Sequence, residues 1–228
     1  MAYSLLLTVR ATPADKDIPT LRSMLEISFP HKENIPYWDA LCQGSLPRVI
    51  AQRLGALFLL PPLLARVGIS AQSLILRRDE HGRPRLITEN GALVDFDFNL
   101  SHTNAHVAAA LLVGNGRVGI DIEEPIPPAR ALPLIKRYCT EGELSLLGES
   151  DDTAAAEFFT TAWVKREAMA KQEGRGMPLR YDTAAPPSGI ALWSGLLLNK
   201  GTRIAICAPQ NDAPASPILV DSLPVQWT

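Results

Sequence analysis

Residues 94–123 read VDFDFNLSHTNAHVAAALLVGNGRVGIDIE, and this stretch decides the fold. Val94 to Leu100 alternates, with Phe96, Phe98 and Leu100 on one face and Asp95, Asp97 and Asn99 on the other, the period of two that marks a strand. Val107 to Val113 is an apolar run of strand length, and Gly114-Asn115-Gly116 after it predicts a hairpin turn. Val118 to Glu123 alternates again, which points Val118, Ile120 and Ile122 to the core and Gly119, Asp121 and Glu123 to the other side. Pro125, Pro127 and Pro128 stop that strand. Gly114-Asn115-Gly116-Arg117-Val118-Gly119 has the letters of GxGxxG. The dinucleotide reading requires a helix to begin there, so that its N-terminus meets the pyrophosphate, and a strand follows instead.

Outward from this stretch, residues 3–9 and 74–76 predict strands, and Asp79-Glu80-His81-Gly82 a turn. Residues 48–60 have helical spacing that Pro61-Pro62 is expected to end, with an apolar continuation from Leu63 to Val67. Helical patterns return at 131–138, 141–147 and, longest, 154–173; a loop bearing proline and glycine follows, then weaker strands near 190–198, 203–208 and 218–226. The expectation is an α+β protein. A break near Gly114–Arg117 gives two α/β halves of similar length, residues 1–115 and 116–228.

Composition narrows the function classes. Of 228 residues, 46% are hydrophobic and 20% charged, which excludes a disordered chain. The net charge of −2 excludes a whole-surface basic field for nucleic acid. Nineteen prolines argue against long uninterrupted helices. The apolar stretch Leu54–Ala65 falls short of the ~20 residues that a bilayer requires, and Tyr3–Val9 lacks the basic leader of an export signal. Three scattered cysteines without a CxxC fit a reducing compartment, so a cytoplasmic chain with no membrane or nucleic-acid partner is expected. Charge is uneven, however. Arg48 to Arg85 carries seven arginines against two acids, and Asp121 to Glu173 eleven acids against six bases. Solvated faces often produce such swings, yet a site for a cation and a polyphosphate requires both signs.

Four pieces carry candidate chemistry, each with an ordinary alternative. Asp121 and Glu123 share a strand face with Gly119, which suits an oxygen-ligated divalent ion or simply a solvated strand face. Trp163, Glu167 and Lys171 fall on one helical stripe, where the plain reading is a surface Glu–Lys pair. Ser101 and His102 leave a strand end together, as phosphate donors or as turn residues. Arg83 is presented by the turn His81-Gly82-Arg83-Pro84, as turns often do by chance. His102 and His106 make HxxxH across a strand boundary without the glutamate of a zinc protease, and no GxSxG or Cys–His pair supports nucleophilic catalysis.

Gly82-Arg83-Pro84, Phe98-Asn99-Leu100-Ser101-His102-Thr103, Val118-Gly119-Ile120-Asp121-Ile122-Glu123 and Trp163-Val164-Lys165-Arg166-Glu167-Ala168-Met169-Ala170-Lys171, in this order, resemble the 4′-phosphopantetheinyl transferases. The resemblance is to their larger single-chain class, the surfactin-synthetase-activator and holo-acyl-carrier-protein-synthase type, and it spans residues 82–176. It implies a pseudo-dimer of two similar halves with coenzyme A in the cleft between them. It also implies Asp121, Glu123 and Glu167 as Mg²⁺ ligands, and Ser101, His102 and Lys171 as contacts to the coenzyme's phosphates. Arg83 stands where the family usually has lysine, Arg48 resembles a family arginine for the 3′-phosphate, and Arg53 would assist it. The basic cluster that often precedes that arginine is not evident.

The resemblance further implies transfer of phosphopantetheine from coenzyme A to a serine of an acyl or peptidyl carrier protein, as in fatty-acid or polyketide synthesis, with release of 3′,5′-ADP. Glu167 would act as general base, directly or through a water, and Lys171 would offset charge on the leaving group. His102 completes the expected catalytic set, and a monomer is expected. The alternative is a non-catalytic module of the same fold that binds coenzyme A or a nucleotide.

Overall fold

Two four-stranded sheets organise the chain in the computed structural model, which describes residues 4–174, 183, 186–197, 201–210 and 216–227. The strands are β1 (Ser4–Ala11), β2 (Leu74–Arg78), β3 (Pro84–Thr88), β4 (Phe96–His102), β5 (His106–Val113), β6 (Gly119–Glu123), β7 (Ile190–Leu197), β8 (Arg203–Pro209), β9 (Ile218–Leu219) and β10 (Val225–Trp227). The helices are α1 (Ile18–Ser28), α2 (Ile35–Cys42), α3 (Pro47–Phe58), α4 (Leu60–Arg66), α5 (Pro128–Tyr138), α6 (Glu141–Leu147) and α7 (Asp152–Glu173). One sheet runs β4-β5-β1-β9 and the other β10-β7-β8-β6, with β2 and β3 as a separate hairpin. The α+β class expected from the sequence is what folds. The loop expected after Glu173 lies largely outside the described residues.

Alternation in the strands decides the layers. Leu5, Leu7 and Val9 of β1 and Ala108, Ala110 and Leu112 of β5 pack against Val118, Ile120, Ile122, Ile204 and Ile206, forming the core between the sheets. The opposite face of the first sheet, with Leu6, Phe98, Ala109 and Leu111, is covered by α1–α4 through Leu25, Trp38, Leu54, Leu60 and Leu63. Behind the second sheet, Ala205 and Cys207 meet Val164, Ala168 and Met169 of α7.

The sheets also meet along a side-chain seam. β4 and β6 are edge strands, and β6 would leave the N–H groups facing away from β8 unsatisfied. The polar face of β4 supplies the acceptors. Val118 N–H donates to Asp97 Oδ2 at 2.8 Å, Ile120 N–H to Asn99 Oδ1 at 3.0 Å and Ile122 N–H to Ser101 Oγ at 3.2 Å. Three rungs, each two residues on from the last, replace a backbone ladder. That is why Asp97, Asn99 and Ser101 are buried.

Two expectations are corrected here. Gly114-Asn115-Gly116 is not a hairpin turn: β5 pairs with β1 and β4, β6 pairs with β8, and the glycines carry the chain from one sheet to the other. Pro61-Pro62 does not end a helical stretch either; it lies in the first turn of α4, where a missing N–H costs nothing. α1, α2, α3 and α5 likewise carry proline in their first turn. Prolines so placed leave α7 its 22 uninterrupted residues.

Candidate functional site

The last rung of the seam opens into a polar cluster. Ser101 Oγ accepts from Ile122 N–H and donates to Asp121 Oδ1 at 2.8 Å. Lys171 Nζ donates to the same Asp121 oxygen at 2.7 Å and to Ser101 Oγ at 3.2 Å. What brings Lys171 to β6 is Gly119. A Cβ at that position would lie 1.9 Å from the Ala168 carbonyl oxygen and 2.6 Å from Gln172 N, so α7 lies directly on the backbone of β6. The close approach that Gly119 promised in the sequence is made by a helix.

Glu123 and Glu167 flank this cluster. Burial and then the charge of Asp121 push the Glu123 carboxyl up to about 7, against the pull of Arg130 and Lys171. The same two causes raise Glu167, against Lys171. Among the described residues no three His, Cys, Asp or Glu side chains stand close enough together to hold a metal ion as they are. Asp121 is instead paired with Lys171. As a donor set the three acids nevertheless suit a hard cation: all ligands are oxygen, and both glutamates carry repulsion from Asp121 that a cation would relieve.

Recesses line the same side of the seam. A cavity of about 510 Å³ is bordered by Gly82, Arg83, Asn99, Glu167 and Lys171. A second, of about 250 Å³, shares Asn99 and Leu100 with it and adds Tyr37, Arg53, Arg78 and His102. A third, of about 350 Å³, shares His102 and is bordered by Glu123, Glu124 and Arg130. The middle recess is cationic. Crowding by protein atoms, with Lys171 and Arg53, holds the His102 imidazole below its usual range, and Arg78 stacks on Tyr37 at 5.0 Å. Among the described residues the Tyr37 hydroxyl is buried without a hydrogen-bond partner, and burial pushes its pKa up to about 12. A neutral donor beside two guanidinium groups suits an anionic ligand with polar edges.

Residues 117–190, which include Asp121, Glu123, Glu167 and Lys171, match the profile of the 4′-phosphopantetheinyl transferase superfamily. The chain is similar to the 4′-phosphopantetheinyl transferase Sfp of Bacillus subtilis (strain 168), at 32% identity over 131 residues, 55% of each chain. It is similar to a second 4′-phosphopantetheinyl transferase of Bacillus subtilis, at 31% over 104 residues, covering 46% of this chain and 43% of that one. Over these residues the chain is similar to the 4′-phosphopantetheinyl transferase superfamily. It spans about half the length of these two curated relatives. A third, the 4′-phosphopantetheinyl transferase ffp of Bacillus subtilis, is 26% identical over 162 residues, covering 68% of this chain and 64% of that one.

The structure brings Ser101, Asp121 and Lys171 into direct contact and sets His102 and Arg53 together in the middle recess. Arg48 instead holds the loop after β4, donating to the Pro13 carbonyl at 2.9 Å and to the Asn104 carbonyl. Arg83, expected among the coenzyme's contacts, is 8% exposed and spends its guanidinium on protein acceptors. The sequence reading passed over Tyr37, Arg78 and Arg130. Arg78 had a signal: it shares a strand face with buried Leu74 and Leu76, an odd place for a surface arginine. Tyr37 lies in α2, whose eight residues leave no long periodicity to detect.

Proposed function

We propose that this chain transfers the 4′-phosphopantetheine arm of coenzyme A to a serine of an apo carrier protein, releasing 3′,5′-ADP. The observation that carries the reading is the Ser101–Asp121–Lys171 cluster, flanked by two carboxyls of raised pKa, with Lys171 bordering a cavity that adjoins the recess of Arg53 and Arg78. In this reading Arg53, Arg78 and His102 hold the anionic 3′-phosphate end of the coenzyme. Asp121, Glu123 and Glu167 would hold Mg²⁺, with Lys171 released from Asp121. The ion would supply charge neutralisation at the diphosphate.

The carrier serine Oγ forms a bond to the β-phosphorus as the bond from that phosphorus to the oxygen of 3′,5′-ADP breaks. Glu167, its carboxyl raised above the ordinary range by burial and the charge of Asp121, takes the serine proton. Lys171 offsets charge on the departing phosphate. The test is an apo carrier panel incubated with the full chain, coenzyme A and Mg²⁺. Each modified carrier should gain the mass of one phosphopantetheine arm. No gain on any carrier, with coenzyme A still bound, would leave only a binding module.

A further inference from the structure

We propose that Arg83 is a positioning residue that sets Lys171 through its backbone, rather than a ligand of the coenzyme's phosphates; the proposal rests on the transferase reading for its kinetic consequence. Arg83 Nη1 donates to the Lys171 carbonyl. Nη2 faces Asp97 Oδ2 at 2.5 Å, the Val118 carbonyl at 2.7 Å and the Phe98 carbonyl at 2.9 Å. One guanidinium therefore ties the end of α7 to the seam between β4 and β6.

The location explains the fit. Lys171 is in the last turn of α7, where helix carbonyls lack intrahelical donors and the dipole is negative. Ala170 O is taken by Gly174 N–H, Glu173 O by Arg117 Nη1 at 3.0 Å, and Lys171 O by Arg83. Two arginines thus close the helix end from which the Lys171 side chain reaches Asp121 and Ser101. A lysine could not substitute, because an ammonium is a point charge without the planar fork that spans acceptors on separate elements. Among the described residues only Nε of the fork lacks an acceptor. That is one site where a ligand could still meet it, and the experiment must separate the two roles.

Full-length Arg83→Lys and Arg83→Met variants, first shown folded by thermal melts, separate them. Lys171 should acetylate about fivefold faster in both, by mass spectrometry of briefly labelled protein, because its anchored turn is released. kcat for transfer should fall roughly 10- to 100-fold, while the KM for coenzyme A and the calorimetric Kd for 3′,5′-ADP stay within about twofold. Arg83→Lys should not rescue. Unchanged Lys171 labelling, with KM and Kd raised about tenfold in Arg83→Met and restored in Arg83→Lys, would overturn the proposal in favour of a phosphate contact. Should the wild type transfer nothing, the labelling and the 3′,5′-ADP affinity still decide. If Arg83→Met does not fold, Arg83→Lys alone decides: raised labelling with unchanged Kd supports positioning, and the reverse refutes it.

Discussion

The two ends of the β4–β6 seam use the same chemistry to opposite effect. At one end Asp97 accepts from Val118 N–H and pairs with Arg83 and Arg85, at 2.5 and 2.7 Å. At the other, Ser101 accepts from Ile122 N–H and donates a hydrogen bond to Asp121, which pairs with Lys171 at 2.7 Å. Burial pushes the Asp97 carboxyl up and the Arg83 guanidinium down, each against its partner's pull, so the first end is closed and held by geometry. At the second, the Lys171 side chain keeps 30% of its surface exposed and faces a cavity. The Arg83–Asp97 pair is a lock because both of its partners are buried, and the Lys171–Asp121 pair a site because one partner can let go.

Gly119 serves both ends, because α7 can reach Arg83 and Asp121 only by lying on its bare backbone. Gly119→Ala should therefore break the comparison altogether, with the largest effect: a loss of at least about 3 kcal/mol or failure to fold cooperatively, since the clash is with helix backbone. Urea unfolding measures it, and a variant within about 1 kcal/mol of wild type would place α7 elsewhere.

Removing one acid from each end sharpens the contrast. Asp97→Asn leaves Arg83 buried without its counter-charge and should cost about 3–5 kcal/mol. Asp121→Asn should cost less than about 1 kcal/mol, because Lys171 regains water and the repulsion on Glu123 and Glu167 disappears. Transfer should behave the other way, falling roughly 100-fold or more in Asp121→Asn. Urea midpoints and the carrier mass-gain assay on both variants test this; equal stability losses would mean that the two ends do the same job.

This contrast explains what was legible in the sequence. The alternation from Val118 to Glu123 and the stripe Glu167–Lys171 gave their own faces correctly, because a period of two or of 3.6 is local. The seam was not legible. The alternating polar face of β4 looks like a solvated one, and its acceptors serve N–H groups 21 residues away. Arg83 illustrates the same limit: a turn arginine reads as a free cation until its four acceptors, drawn from three other segments of chain, are brought around it. The prolines misled for a different reason. Their count suggested broken helices, whereas five helices carry proline in the first turn, where it begins a helix, and Pro133 lies inside α5.

The middle rung gives the smallest effect and the finest probe. Asn99→Ala strips the acceptor from Ile120 N–H without stranding a charge, so stability should fall by about 1–3 kcal/mol. The lower end of that range is expected, since Asn99 borders two of the recesses and water from them can reach the vacated position. Native-state hydrogen exchange should show the Ile120 amide, protected in the wild type despite lying on an edge strand, exchanging faster than the amides of Val118 and Ile122. Equal acceleration at all three would mean that the rungs open as one unit and that the closed end does not hold independently of the open one. No acceleration at Ile120 would mean that Asn99 is not its acceptor, and the seam would then rest on its two ends alone.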